Sequence, residues 1–163
     1  LEAAGLRVTL DERDERPGWK FSEWELRGVP LRLEIGPKDI EKSQVVLARR
    51  DTREKAFVPM GELVSRTHEL LRDLQAALLA RAKAFREERT QRVEGYEAFK
   101  QVMEGRPGFV IAPWCGTAQC EAAIKADTQA TIRNMPLGGQ PPAGGCVRCG
   151  ASATAEAWFA KSY

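Results

Sequence analysis

Four cysteines, set as Cys115-x4-Cys120 and Cys146-x2-Cys149, constrain this chain more than any other feature. Two close pairs separated by 25 residues are what a tetrahedral metal site needs. Each pair spans one edge of the coordination shell, and the chain between them folds back to close it. The second pair reads Cys146-Val147-Arg148-Cys149-Gly150, and its glycine can take the positive φ that turns backbone amides toward thiolate sulfurs. Two disulfides, an iron site or free thiols are the alternatives. The chain is not cysteine-dense and shows no signal peptide, so zinc is the expectation. With all four sulfurs bound, no position stays open for a catalytic water. The metal is therefore expected to hold a fold rather than run a reaction.

A length of 163 residues allows one ordinary domain or two small ones. Hydrophobic and charged content are those of a soluble globular protein, and no apolar run approaches a membrane span, so a cytoplasmic setting without a membrane partner is expected. The formal charge is +2. Four thiolates and a divalent ion would bring the metal-loaded protein to about zero. Nucleic-acid binding, if present, must rest on local geometry rather than on a global basic field. The opening, Leu1-Glu2-Ala3-Ala4, reads as the last turn of a helix with Gly5 as its left-handed cap, which suggests the C-terminal piece of something larger.

Alternation predicts a strand over Leu6–Leu10, then a charged segment and a turn at Pro17-Gly18. A helix is expected over Trp19–Leu26, ended by Gly28. Leu31, Leu33 and Ile35 should face a core while Arg32 and Glu34 point away. Val45–Ala48 reads as a central strand and Ala56–Val58 as another. Helical spacing then runs from Gly61 to about Val93; its basic second half is read as a solvated face, with phosphate contact as the alternative. A short helix over Tyr96–Met103, a turn through Gly105-Arg106-Pro107-Gly108 and a strand over Phe109–Ala112 deliver Cys115. A helix from Cys120 to about Ala130, an extended Thr131–Met135, a loop over Pro136–Gly145 and a final strand over Ala157–Ala160 complete the reading. The second part has few large apolar residues and needs its metal staple.

No catalytic constellation emerges. His68, the only histidine, falls within the long helix and reads as a surface or half-buried residue. The segment Arg16–Pro30 is denser in information: Trp19, Phe21 and Trp24 lie among lysine, arginine and glutamate. Aromatics beside basic groups can stack unpaired bases and neutralise phosphates. A glutamate can accept from the N1–H and N2–H of a guanine while arginine or lysine reaches acceptors on its other edge. The competing reading makes these aromatics simply core. Charge does not decide, since Arg7 to Lys55 carries twelve basic and eleven acidic residues.

The run Pro17-Gly18-Trp19-Lys20-Phe21-x-Glu23-Trp24-Glu25-Leu26-Arg27-Gly28-Val29-Pro30-Leu31-Arg32, continued by Glu34-Ile35-Gly36-Pro37-Lys38-Asp39, resembles the anticodon-binding domain of prolyl-tRNA synthetases of the archaeal/eukaryotic-like type. Trp114-Cys115-Gly116, Cys120, Ala130-Thr131-Ile132-Arg133-Asn134, the Cys146/Cys149 knuckle and the end at Lys161-Ser162-Tyr163 resemble the zinc-binding domain of that type. The resemblance implies an α/β chain: a small mixed-sheet class II anticodon-binding domain over residues 1–76, truncated at its N-terminus, then a small α+β zinc-binding domain with its connecting helix over 77–163. It implies a ligase that uses ATP to attach proline to tRNA(Pro), with its own catalytic domain as a partner outside this chain and a homodimer in the full-length enzyme. By motif, Phe21 would pack on an anticodon base, and Glu25, Arg32 and Lys38 would make polar contacts to the two guanines shared by proline anticodons. Cys115, Cys120, Cys146 and Cys149 would hold structural zinc, and Tyr163 would extend its carboxylate toward the catalytic domain. The alternatives are a free-standing zinc-stabilised RNA-binding or scaffold module without catalysis and, third, a threonyl, glycyl or histidyl sister synthetase.

Overall fold

The computed structural model describes residues 1–105 and 108–162. Arg106 and Pro107 of the expected turn, and the terminal Tyr163, lie outside the described residues. The chain divides into two compact units, Leu1–Arg81 and Ala82–Tyr163, with the division inside the longest helix.

The first unit opens with a 3-10 turn, Glu2–Ala4, closed by Gly5 at φ 78°, the left-handed cap its sequence suggests. The next stretch departs from expectation. Leu6–Leu10 forms no strand, Val8 and Leu10 are exposed, and no strand lies beside it among the described residues. Alternation gives a segment two faces, but only a neighbouring backbone satisfies the amides and carbonyls of a strand. Side chains tie the following residues to helix α1 (Pro17–Leu26) instead. The Trp24 indole N–H donates to the Asp11 carboxylate at 2.7 Å, Lys20 donates to the Asp11 carbonyl at 3.2 Å, and Arg13 bridges Asp11 and Glu23. Pro17 occupies the first helical position, where a missing N–H costs nothing.

Strands β1 (Leu31–Glu34), β2 (Gln44–Arg49) and β3 (Lys55–Pro59) pair antiparallel in that spatial order, with the short helix α2 (Pro37–Glu41) between the first two in sequence. Val45–Ala48 is buried throughout, as a central strand should be. The register sets Leu33, Leu47 and Ala56 in one row and Val45 beside Val58. These close on Leu31 and on Leu70 of α3 (Leu63–Glu88) to form the first core. Ile35, expected to face that core, lies beyond the end of β1 and is 54% exposed, because Gly36-Pro37 begins α2 and stops the strand one residue earlier. The opposite sheet face carries two rows, Arg32–Ala48–Lys55 and Glu34–Val46–Phe57.

Helix α3 ends at Glu88 rather than near Val93. Thr90–Arg92 is strand β4, parallel to β5 (Phe109–Trp114). Helices α4 (Tyr96–Glu104) and α5 (Ala118–Thr128), with β6 (Ala130–Asn134) and β7 (Ala155–Lys161), complete a mixed sheet of order β4-β5-β7-β6. Gly108 permits the β4–β5 approach. The Phe109 N–H donates to the Arg89 carbonyl at 2.7 Å, and a Cβ on Gly108 would stand 2.2 Å from that same oxygen. Phe99 and Phe159 meet edge-to-face at 5.2 Å in the second core, among Val110, Ile124 and Ala157. No helix of the described residues is long and apolar enough to cross a membrane.

Candidate nucleic-acid interface and metal centre

Helix α1 presents its aromatics at the surface rather than in the core. Trp19 is 50% exposed, Phe21 and Trp24 are half-buried, and no residue of α1 is fully buried. Trp24 is already occupied: its N–H is given to Asp11, and the Arg13 and Arg27 guanidiniums lie 6.0 and 5.0 Å from its ring centroid. The Arg13 and Trp24 hydrogen bonds hold the Asp11 carboxyl well below the usual carboxylate range.

Phe21 has a different role. The Arg32 guanidinium carbon lies 3.8 Å above its ring centroid, and Lys55 Nζ lies at 5.8 Å. Arg32 also donates through Nη1 to Glu25 at 2.8 Å and through Nε to Glu34 at 3.0 Å. The second Glu34 oxygen accepts from Lys55 at 2.9 Å. Burial alone would raise the Glu34 carboxyl, but the Lys55 and Arg32 hydrogen bonds outweigh it and hold it low. The result is a polar chain, Glu25–Arg32–Glu34–Lys55, laid over Phe21 beside a recess lined by Trp24, Val29, Ala48 and Arg50. The structure thus brings Phe21, Glu25 and Arg32 together. Lys38 stands exposed on α2 and is joined to none of the three among the described residues.

Glu34, Lys55 and the 68% exposed Phe57 share this face but carry no expected role. Alternation alone sends Glu34 to the side of Arg32. Lys55 and Phe57 arrive through the β2–β3 register, which no local pattern in the sequence reveals.

The cysteine pairs meet in the second unit. β5 ends at Trp114 and delivers Cys115, after which Gly116 turns at φ 82° and Thr117 caps α5, accepting from the Cys120 N–H at 3.4 Å. Cys120 thereby sits in the first turn of α5, where the helix dipole favours a thiolate. From the other side, the Cys146 N–H donates to the Ala151 carbonyl at 2.7 Å and the Gly150 N–H to the Cys146 carbonyl at 2.9 Å, with Gly150 at φ 72°. A Cβ on Gly145 would meet the Gly150 carbonyl oxygen at 2.5 Å, so the knuckle admits only glycine there. Val147 N–H to the Pro113 carbonyl and Thr154 N–H to the Trp114 carbonyl, at 2.9 and 2.8 Å, fasten the knuckle to β5.

All four sulfurs lie within 4.8 Å of one another, and none is in a disulfide. The Cys115–Cys149 separation of 3.9 Å is close to the edge, about 3.8 Å, of a tetrahedron of thiolates bound at about 2.3 Å. Hydrogen bonds from the Thr117 hydroxyl and backbone push the Cys115 thiol down to about 6. At Cys120 the Thr117 hydrogen bond lowers the value, but burial and the neighbouring Cys149, Cys115 and Cys146 sulfurs outweigh it and push the thiol up to about 12. Four sulfurs crowded this closely can all ionise only beside a cation, and this donor set suits a soft one. His68 stays half-buried on α3.

The chain matches two family models: an anticodon binding domain over residues 1–70 and "Prolyl-tRNA synthetase, C-terminal" over residues 96–163. Among curated relatives, a proline--tRNA ligase of Lachnospira eligens is 47% identical over 163 residues, covering all of this chain and 34% of the relative. One from Natranaerobius thermophilus is 49% identical over 161 residues, covering 97% of the chain and 33% of the relative. One from Rubrobacter xylanophilus is 54% identical over 138 residues, covering 84% and 29%. The chain therefore spans about a third of the length of the curated relatives it matches.

Proposed function

We propose, from a chain that belongs to the prolyl-tRNA synthetase family as its C-terminal region, that the Phe21 face reads the anticodon of tRNA(Pro) and that the four-cysteine centre holds zinc. The observation that carries the first part is the Arg32–Phe21 stack with Glu25 on its edge, inside the stretch that matches an anticodon binding domain. A guanine packed beside Phe21, in the plane of the Arg32 guanidinium, would present N1–H and N2–H to the Glu25 carboxylate and O6 or N7 to Arg32. Lys38, exposed on α2, supplies a further polar contact to the bound anticodon loop.

Cys115, Cys120, Cys146 and Cys149 would supply four thiolates to a zinc ion, which would cross-link β5, the start of α5 and the knuckle. Such a closed site is structural. The whole protein would attach proline to tRNA(Pro) in the cytoplasm using ATP, as a homodimeric class II ligase. The anticodon-binding part would occupy residues 1–76 and the zinc part 77–163. Catalysis would be carried by a separate domain, toward which Tyr163 would extend its carboxylate.

The test is binding of the intact protein to tRNA(Pro) and to the same tRNA with both anticodon guanines replaced by adenine, which lacks the N1–H and N2–H donors. Weaker binding of the replaced tRNA, by roughly 1–3 kcal/mol per lost contact, is expected. Equal binding would reject anticodon reading by this face. Metal analysis of the same sample should return one zinc per chain.

A further inference from the structure

We infer that Glu34 is a positioning residue for base discrimination: it holds Arg32 over Phe21 when Glu25 leaves Arg32 to accept from a base. This inference rests on the anticodon reading above.

In the free protein Glu25 and Arg32 satisfy each other at 2.8 Å. A base edge that recruits Glu25 takes away one of the partners of Arg32. An arginine so released would turn to the nearest phosphate, because guanidinium groups bind phosphate oxygens readily and with no regard to sequence. Glu34 prevents this. One of its oxygens lies 3.0 Å from both Nε and Nη2 of Arg32, so the guanidinium keeps two anchored nitrogens while Nη1 is freed toward the base. The other oxygen holds Lys55 at 2.9 Å, so a single carboxylate restrains both cations of this face. The side chains of Arg32 and Glu34 are only 19% and 21% exposed, against 41% for Glu25. The inner pair is fixed and the outer carboxylate is the one that can swing away.

The division of labour gives distinct readouts. In the intact protein, Glu34→Gln keeps the shape of the side chain but loses the charge that anchors Arg32. Discrimination between tRNA(Pro) and its guanine-to-adenine counterpart should fall about tenfold. Affinity for the replaced tRNA should hold or rise, and the slope of log K against log salt should steepen by about one, since a freed cation reaches phosphate. Lys55→Met removes a cation that Glu34 already restrains and leaves the Glu34–Arg32 contact in place, so discrimination should fall clearly less than in Glu34→Gln, with the salt slope near the parent's. Parent-like discrimination in Glu34→Gln, or equal loss in Lys55→Met, would overturn the inference. A parent protein that binds both tRNAs equally would instead reject the anticodon reading itself.

Discussion

Phe21 and Arg32 show how a surface site can be assembled from side chains that would each be costly to leave alone. The guanidinium covers one side of the ring, two glutamates neutralise the guanidinium, and the set remains accessible. Trp24 shows the contrasting outcome, since Asp11, Arg13 and Arg27 occupy its N–H and flank its ring. The sequence offers both aromatics in the same motif and does not reveal which groups cover each ring. That difference depends on Asp11 and Arg32, which are brought in from outside the helix. Tyr96, at the edge of the second core, makes a pH prediction. Burial first, and the hydrogen bond to Asp127 at 2.7 Å next, push its phenol up to about 12 from its ordinary value near 10. The folded state therefore keeps a proton that the unfolded chain loses. The stability this provides is fully present below pH about 10 and is lost as pH rises toward 12. Denaturation of the intact protein at pH values across that window should show the fall, and Tyr96→Phe should remove this component of it.

Helix α1, the central strand β2 and the two cysteine-bearing turns could be read from local pattern, because propensity, capping and burial all agree there. Leu6–Leu10 and β4 could not. Leu6–Leu10 has strand alternation and no neighbour to pair with among the described residues. Strand β4 continues the helical spacing of α3 in sequence, yet it is drawn into a sheet by β5, which lies beyond the whole of α4. Long-range pairing decided both. Gly108 marks where β4 and β5 converge, so Gly108→Ala should be destabilising although alanine is the smallest possible change. A Cβ placed 2.2 Å from the Arg89 carbonyl oxygen must displace backbone, at a cost of about 1–3 kcal/mol. Thermal denaturation reads this directly, and an unchanged midpoint would mean that β4 does not need the close approach.

Two cores, one closed by α3 against β1–β3 and one by α4 and α5 against the mixed sheet, divide the chain into two units, of which only the second carries the four-cysteine cluster. Among the described residues, the first core contains no metal donor set. The second includes Val147, which sits between the cysteines of the knuckle, so loss of a metal held there would free a residue of the core itself. Hydrogen exchange of the intact protein before and after treatment with a zinc chelator should therefore rise strongly across residues 82–163 and little across residues 1–81. Equal loosening of both would contradict a separate metal-held unit. Cysteine spacing alone points to the metal centre, because both pairs are local in sequence. The face proposed to read RNA needed the β-sheet register to bring Lys55 and Glu34 beside Arg32.

The central claim, that the Phe21 face distinguishes guanines in the anticodon, is tested most directly with Glu25→Ala and Arg32→Ala in the intact protein. Each would be compared for binding to tRNA(Pro) and to the tRNA whose anticodon guanines are replaced by adenine. The predicted result is that both variants bind the two tRNAs nearly alike, with each lost contact costing about 1–3 kcal/mol on tRNA(Pro) only. Variants that preserve the parent's discrimination would contradict the claim and leave Phe21 and Arg32 as a surface-stabilising pair.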